Sequence, residues 1–355
     1  MNTTPPNELK KSWMELKAAS PNIRIRNAAE TLGVSEYELL LTGVDVNLTH
    51  LEARHGELLQ ALEGVGSVMA LTRNDLAVHE KHGTYTNFKV TGKGAMGICL
   101  GAIDLRVFLN RWRHAVAVTD TGGKQTRHSI QFFDAQGNAL HKVYQTEATN
   151  QSAWENLIRS FTAGDQEPQF QSQPIEPEQT DSEKTESGQL PTREAVREEW
   201  QSLKDVHHFN AMLKRLGIDR YQALQLVGED YAKQLPIESA EKTLQMAQQQ
   251  GLPIMVFVGN RGLVQIHTGV IGKVLRTGPW FNVLDPDFNL HLNTEAIYSV
   301  WSVRRHTSDG IVTSVEIYSR TKELITTLFG ERKPGQPESE QWQKLIKEME
   351  KEMDS

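Results

Sequence analysis

The chain has 355 residues, 38% of them hydrophobic and 23% charged, with a formal net charge of −7. That is enough chain for two domains of ordinary size with substantial cores, and the acidic balance argues against a nucleic-acid binder, which usually shows a basic face. Cys99 is the single cysteine, which excludes an internal disulfide and a cysteine-built zinc site. No run approaches 18 consecutive apolar residues, and MNTTPPNELKKSWMELKAASP lacks the apolar centre of a signal peptide, so the chain reads as soluble and cytoplasmic.

In chain order, helices come first. SIQFFDAQGNALHKVY (129–144) then reads as two strands joined by a turn from Asp134 to Asn138. From Ala163 the composition changes: AGDQEPQFQSQPIEPEQTDSEKTESGQL holds seven acidic residues and one lysine, with little to bury, as in a solvated linker. VREEWQSLKDVHHFNAMLKRLG places Trp200, Leu203, Val206, Phe209, Leu213 and Leu216 mostly three or four apart, which predicts one long helix stopped by Gly217. IDRYQALQLVG predicts a short helix capped by Asp219. PIMVFVGNRGLVQIHTGV predicts two strands about a turn at 259–262, and SVWSVRRHTSDGIVTSVEIYS two more about Ser308-Asp309-Gly310. SEQWQKLIKEMEKEM predicts a charged terminal helix.

The two halves match. Leu32-Gly33 and Tyr37 correspond to Leu216-Gly217 and Tyr221 at an offset of 184; Asn74, Val78 and Gly83 to Asn260, Val264 and Gly269 at 186; Ser129 to Ser314 at 185. A near-constant offset over more than a hundred residues indicates a duplicated domain. The expected fold is α+β: two tandem structural repeats, each a large antiparallel β-sheet with packed helices. The expected boundaries are an N-terminal repeat at 1–162, an acidic Pro/Gln/Glu-rich linker at 163–192, a C-terminal repeat at 193–332 and a helical tail at 333–355.

Common catalytic signatures are missing: no G-x-S-x-G, Walker loop or dinucleotide fingerprint occurs. His79 and His82 fall one residue short of zincin spacing, and on a strand they would point to opposite faces. Cys99, in MGICL, reads as a small buried hydrophobe. In Asp205-Val206-His207-His208-Phe209, His207 lies at the edge of the buried stripe. There a neutral imidazole can point into a cleft as a proximal haem ligand does; the alternative is a solvated helix histidine. Extending the repeat alignment sets Ile23 opposite His207, so only one copy carries the histidine. Arg106, Arg220 and Arg305 each suit an anion or propionate, or simply a surface charge. Tyr318 reads as core.

At these residues the chain resembles the HemS/HmuS/ChuS/PhuS family of bacterial haem-utilisation proteins, also called hemin-degrading factors. The resemblance rests on residues 73–87 (RNDLAVHEKHGTYTN), DLRVFLNRW (104–112), SIQFFDAQGNALHKVY, DVHHF (205–209), IMVFVGNRGLVQIHTG (254–269) and TSDGIVTSVEIY (307–318). It implies two similar halves with haem between them and His207 as the axial iron ligand, His208 being the alternate. It implies Arg106 on the opposite haem face and Phe108 lining the pocket. Arg220 and Arg305 would be basic residues near propionates, the latter standing where the family often has lysine, and Tyr318 another cofactor contact. Asn210 departs from members with a second pocket phenylalanine, which leaves a paired aromatic gate unsupported.

The function implied is binding of haem b in the cytoplasm and opening of the porphyrin ring to release iron. His207 and Arg106 would act catalytically, and the external electron donor would be a reduced nicotinamide, NAD(P)H, or another reductant. The implied partners are haem, the cytoplasmic face of a haem ABC transporter, and a reductase or downstream haem acceptor, with no nucleic acid. The alternative is a haem chaperone that delivers haem without turnover; a ligand-free scaffold is the third reading.

Overall fold

A computed structural model describes residues 6–167, 170–172, 190–205, 208–308, 310–333 and 335–351. His207 and Val206 lie outside the described residues, as do Asp309 and most of the expected linker.

The strands form two large antiparallel sheets, and the chain divides into two compact units. In the N-terminal unit, hydrogen bonding orders the strands Val46–Leu51, His114–Asp120, Arg127–Phe133, Ala139–Thr149 and Gly66–Arg73, and separately Lys89–Thr91, Met96–Cys99 and Asp104–Phe108. The C-terminal unit repeats this order with Ala232–Leu235, Ile297–Thr307, Gly310–Ser319, Leu324–Gly330 and Ile254–Gly259, and separately Val274–Thr277, Trp280–Leu284 and Phe288–Asn293.

Register makes the duplication concrete. Ser129 faces Val118 across the ladder, as Ser314 faces Val303. The helices Glu36–Leu41 and Arg220–Val227 both begin with a capping box, Ser35 with Glu38 and Asp219 with Gln222, each side chain taking the other's backbone N–H. This reciprocal cap satisfies two amide donors that a helix start otherwise leaves open.

The units are not simply consecutive halves. The N-terminal unit lacks Asn74–His79 and includes Gly259–Gln265, while the C-terminal unit has the converse. The paired asparagines hold these segments. Asn74 Nδ2 donates to the Ile325 carbonyl at 2.7 Å while its Oδ1 accepts from the Leu76 and Ala77 amides. Asn260 Nδ2 donates to Arg73 and Leu140 carbonyls at 2.9 and 2.8 Å while its Oδ1 accepts from the Gly262 amide. Asparagine suits these turns because one side chain both accepts from the turn's backbone and donates beyond it.

Two sequence expectations need correction. The long helix is two helices, Arg193–Gln201 and His208–Leu216. The Lys204 carbonyl, which an unbroken helix would commit to the amide of residue 208, accepts from the Ser308 N–H at 2.9 Å, and His208 N–H turns to Asp205. The first linker residues are packed: Gln166 bonds the backbone of His50 in both directions, and Phe170 sits edge-on to Tyr37 with centroids 5.0 Å apart. The terminal helix forms as expected, over Glu340–Lys351, with its charges on one side only. Trp342, Leu345, Ile346 and Met349 are buried in the C-terminal core with Leu244, Val315 and Leu328. Other expectations match: the Asp134–Asn138 turn closes with the Asp134 carboxylate accepting from the Gln136 and Asn138 amides. HEKH lies on the strand Ala77–Gly83, and Cys99 is buried, its thiol pushed up to about 12 by desolvation.

Trp342 is fully buried and donates its indole N–H to the Thr313 carbonyl at 2.9 Å. Trp342→Ala should therefore lower unfolding stability by about 3–5 kcal/mol, read as a shift in urea midpoint. A midpoint unchanged from wild type would mean that the helix is only appended.

Candidate functional site

The C-terminal unit builds a polar cluster from three elements. Arg220 opens the helix Arg220–Val227, positioned by the Asp219 cap. Arg305 lies on the strand Ile297–Thr307, and Ser314, Glu316 and Tyr318 lie on its neighbour Gly310–Ser319. Alternation along that neighbour puts Ser314, Glu316 and Tyr318 on one face.

Glu316 is fully buried and is the hub. Its Oε1 lies 2.7 Å from Arg305 Nη2 and 3.1 Å from Arg220 Nη1, and its Oε2 accepts from the Tyr318 hydroxyl at 2.5 Å. Burial alone would raise the Glu316 carboxyl, but Arg305 and Arg220, with the Tyr318 hydrogen bond, hold it down at about 2. Burial, reinforced by Arg220 and opposed by Glu316, keeps the Arg305 guanidinium below its ordinary range. Arg220 is raised, because Glu316 and Tyr318 outweigh its desolvation. Tyr318, buried beside a carboxylate, is held well above the ordinary phenol range.

Aromatic rings complete the cluster. The Arg305 guanidinium stands 4.2 Å from the Phe209 ring centroid and 5.4 Å from that of Trp200; Arg220 stands 5.0 Å from Phe209. Such contacts favour a cation that has lost its water. Arg305 is only 4% exposed, whereas the Arg220 side chain keeps 30% of its surface open. The Arg305–Glu316 approach is an ion pair without hydrogen-bond alignment at Nη2, and Arg305 Nε has no hydrogen-bond partner among the described residues. Among the described residues two guanidinium charges thus meet one carboxylate, leaving a partly exposed, net-cationic cluster.

The N-terminal unit lacks it. Matching the ladders and capping boxes sets Glu36 at the place of Arg220, Asp120 at that of Arg305, Gln131 at that of Glu316 and Phe133 at that of Tyr318. There Glu36 pairs with Lys142, Gln131 Nε2 donates to Ser129 Oγ at 3.0 Å, and Asp120 pairs with Arg127.

Of the residues singled out in the sequence, Arg220, Arg305 and Tyr318 converge. His207 lies outside the described residues, while His208 is exposed at the start of its helix and Asn210 is exposed two residues on. In the N-terminal unit, Arg106 is on a strand, Asp104–Phe108, where Asp104, Arg106 and Phe108 are half-buried on one face and Leu105 and Val107 are buried on the other. Arg106 pairs with Asp104 and donates to the Leu105 carbonyl at 3.1 Å. Burial raises the Asp104 carboxyl against the pull of Arg106. Among the described residues no group of three or more His, Cys, Asp or Glu side chains is placed to hold a metal ion. Sequence reasoning missed Glu316; its signal was a lone acid in the otherwise apolar and hydroxylated run IVTSVEIYS.

The sign of the Glu316 shift fixes a pH dependence. A carboxyl depressed from 4.5 to about 2 on folding adds stability that is fully present above pH 4.5 and is lost as pH falls toward 2. The contribution is up to about 3 kcal/mol. Carboxyl carbon NMR should show Glu316 ionised down to near pH 2, and a midpoint near 4.5 would contradict the cluster.

Comparison with known proteins agrees with this architecture. The haemin-degrading HemS/ChuX domain family matches twice, at residues 33–161 and 217–349. The hemin transport protein HmuS of Yersinia pestis is 42% identical over 340 residues, spanning 95% of this chain and 96% of that protein. The crystal structure of holo-PhuS, a heme-binding protein from Pseudomonas aeruginosa, superposes with a TM-score of 0.90 at 42% identity, covering 98% and 99% of the two chains. The heme degrading enzyme ChuS of Escherichia coli O157:H7 gives a TM-score of 0.89 at 36% identity, covering 97% and 99%. The chain belongs to the haemin-degrading HemS/ChuX domain family.

Proposed function

We propose that this chain binds haem b through His207 and opens the porphyrin ring to release iron. The observation that carries the reading is the net-cationic Arg220–Arg305–Glu316 cluster, present in the unit that bears His207 and replaced in the other. Haem b is a broad apolar plate with two carboxylates, so a fitting site needs an iron ligand, an apolar surface and cations for the propionates. The residues fit: Arg220 offers open guanidinium surface, Arg305 Nε lacks a hydrogen-bond partner among the described residues, and Phe209 and Trp200 are aromatic neighbours.

Haem supplies the redox iron on which ring opening depends. The chain's residues bind and orient. The His207 imidazole serves as ligand, with His208 as alternate; Arg220 donates to a propionate and Arg305 lies behind it as a second positive charge near that propionate, both held in place by Glu316 and Tyr318. Following the family pattern, we assign Arg106 and Phe108 to haem contact as well, Arg106 as a fixed positive charge that stabilises developing anionic charge. The electron donor is external, a reduced nicotinamide or a reductase, and the setting is the cytoplasm, with haem arriving from a membrane transporter. ChuS, 36% identical, is a heme degrading enzyme, which supports turnover.

A second reading is favoured by HmuS, a hemin transport protein: delivery of haem without turnover. The two readings part on one observation. With catalase present to remove free peroxide, added reductant should bleach the Soret band of bound haem if the ring is opened; a reduced but persistent Soret band would assign the chain to delivery.

Titration of the apo-protein with hemin should saturate near one equivalent, and His207→Ala should change the Soret position and weaken binding at least tenfold. No saturable binding by wild type would end the haem reading. A variant matching wild type would move the ligand elsewhere, to His208 first.

A further inference from the structure

Burying a carboxylate beneath two arginines is an unusual way to build an anion receptor, because the carboxylate competes with the ligand. Glu316 is fully buried, contacts both Arg220 and Arg305, and receives the Tyr318 hydroxyl. Ser314 Oγ, which accepts from Arg305 Nη1, lies 3.4 Å from the same carboxylate. At the matching positions the other unit has Gln131 against Ser129, with Glu36 in place of Arg220 and Asp120 in place of Arg305. The fold therefore accepts an uncharged amide at this position, and the acid accompanies the arginines rather than the sheet.

Without Glu316, two guanidinium groups would share one largely dry pocket, and like charges there repel strongly. With it, the pair carries one unit of excess positive charge, which a single carboxylate neutralises. We infer that Glu316 is a specificity-determining residue that sets the cluster to one net positive charge, so that it takes one carboxylate of an acidic porphyrin. The inference rests on the haem reading above and concerns how the acidic edge of the ligand is chosen.

The experiment compares affinities for hemin and for hemin dimethyl ester, which lacks both carboxylates. It uses the full chain as wild type, Arg220→Gln, Glu316→Gln and the double variant, followed at the Soret band. Wild type, with one excess charge, should prefer the free acid by about tenfold or more, the worth of one charge-assisted contact. Arg220→Gln, which leaves a neutral Arg305–Glu316 pair, should bring the two affinities within about twofold. Glu316→Gln should widen the preference beyond that of wild type, and the double variant, again with one excess charge, should return toward it. An unchanged preference in Glu316→Gln, or a double variant indistinguishable from Arg220→Gln, would overturn the inference.

If loss of the buried acid prevents folding, the wild type decides. The Glu316 carboxyl carbon resonance should move on adding zinc protoporphyrin IX and not its dimethyl ester; equal responses overturn the assignment. Failure of every form to bind either hemin would instead overturn the haem reading, and this inference with it, whereas equal binding of acid and ester by wild type removes the inference alone.

Discussion

The C-terminal unit is organised around one fully buried carboxylate, Glu316, shared by Arg220 and Arg305. Taking three charged groups out of water is costly, and a well-packed apolar substitute is often as stable or more so. The cluster is tolerable because little of its hydrogen-bonding capacity at the carboxylate is wasted: Tyr318 donates to one oxygen while Arg220 and Ser314 approach the other. Phe209 and Trp200 then cover the guanidinium faces, replacing lost hydration with ring quadrupoles. The first turn of the helix Arg220–Val227 is fixed from both sides, by the capping box at Asp219 and by the ion pair to the sheet.

The duplicated unit acts as an internal control for this argument. Both copies keep the capping box, the tyrosine within it and the serine two residues before the hub position, so these serve the shared fold. The copies differ in charge. At the place of Arg220 the N-terminal unit has an acid, Glu36, which pairs with Lys142 and also faces Arg73, and at the place of Glu316 it has the uncharged Gln131. Had the arginine cluster been a requirement of the architecture, the N-terminal unit would need it too. The arrangement at these positions is therefore not required by the shared fold, as the proposed propionate site needs.

Much of the fold was legible because its signals are local or periodic. Offsets of 184 to 186 reflect strands and caps that repeat in register, and Asp219 and the Asp134–Asn138 turn are set by short-range hydrogen bonds. The misses share a cause. The break after Gln201 depends on Ser308 claiming the Lys204 carbonyl from a hundred residues away, a contact that helical periodicity cannot register. The exchange of Asn74–His79 and Gly259–Gln265 turns on asparagine donors to Ile325, Arg73 and Leu140. Phe170, within the run read as linker, packs because its partner, Tyr37, lies far off in sequence, where composition cannot register it.

The candidate site shows the same division. Arg220, Arg305 and Tyr318 were each visible as a residue type, but each arginine alone read as well as a surface charge, and the tyrosine alone read as core. What gives them meaning is their common partner, and Glu316 drew no notice in the sequence because a single acid within a strand carries no motif. An acid in a strand buried on both faces must nevertheless be neutral, paired or coordinating, and here it is paired with more positive charge than it can balance. A buried excess of one sign is unstable unless something of the opposite sign can reach it. Arg305 is sealed in, so the reachable side is the open surface of Arg220. An approaching anion would therefore meet Arg220 first, and it would feel Arg305 only through the charge that Glu316 leaves uncompensated.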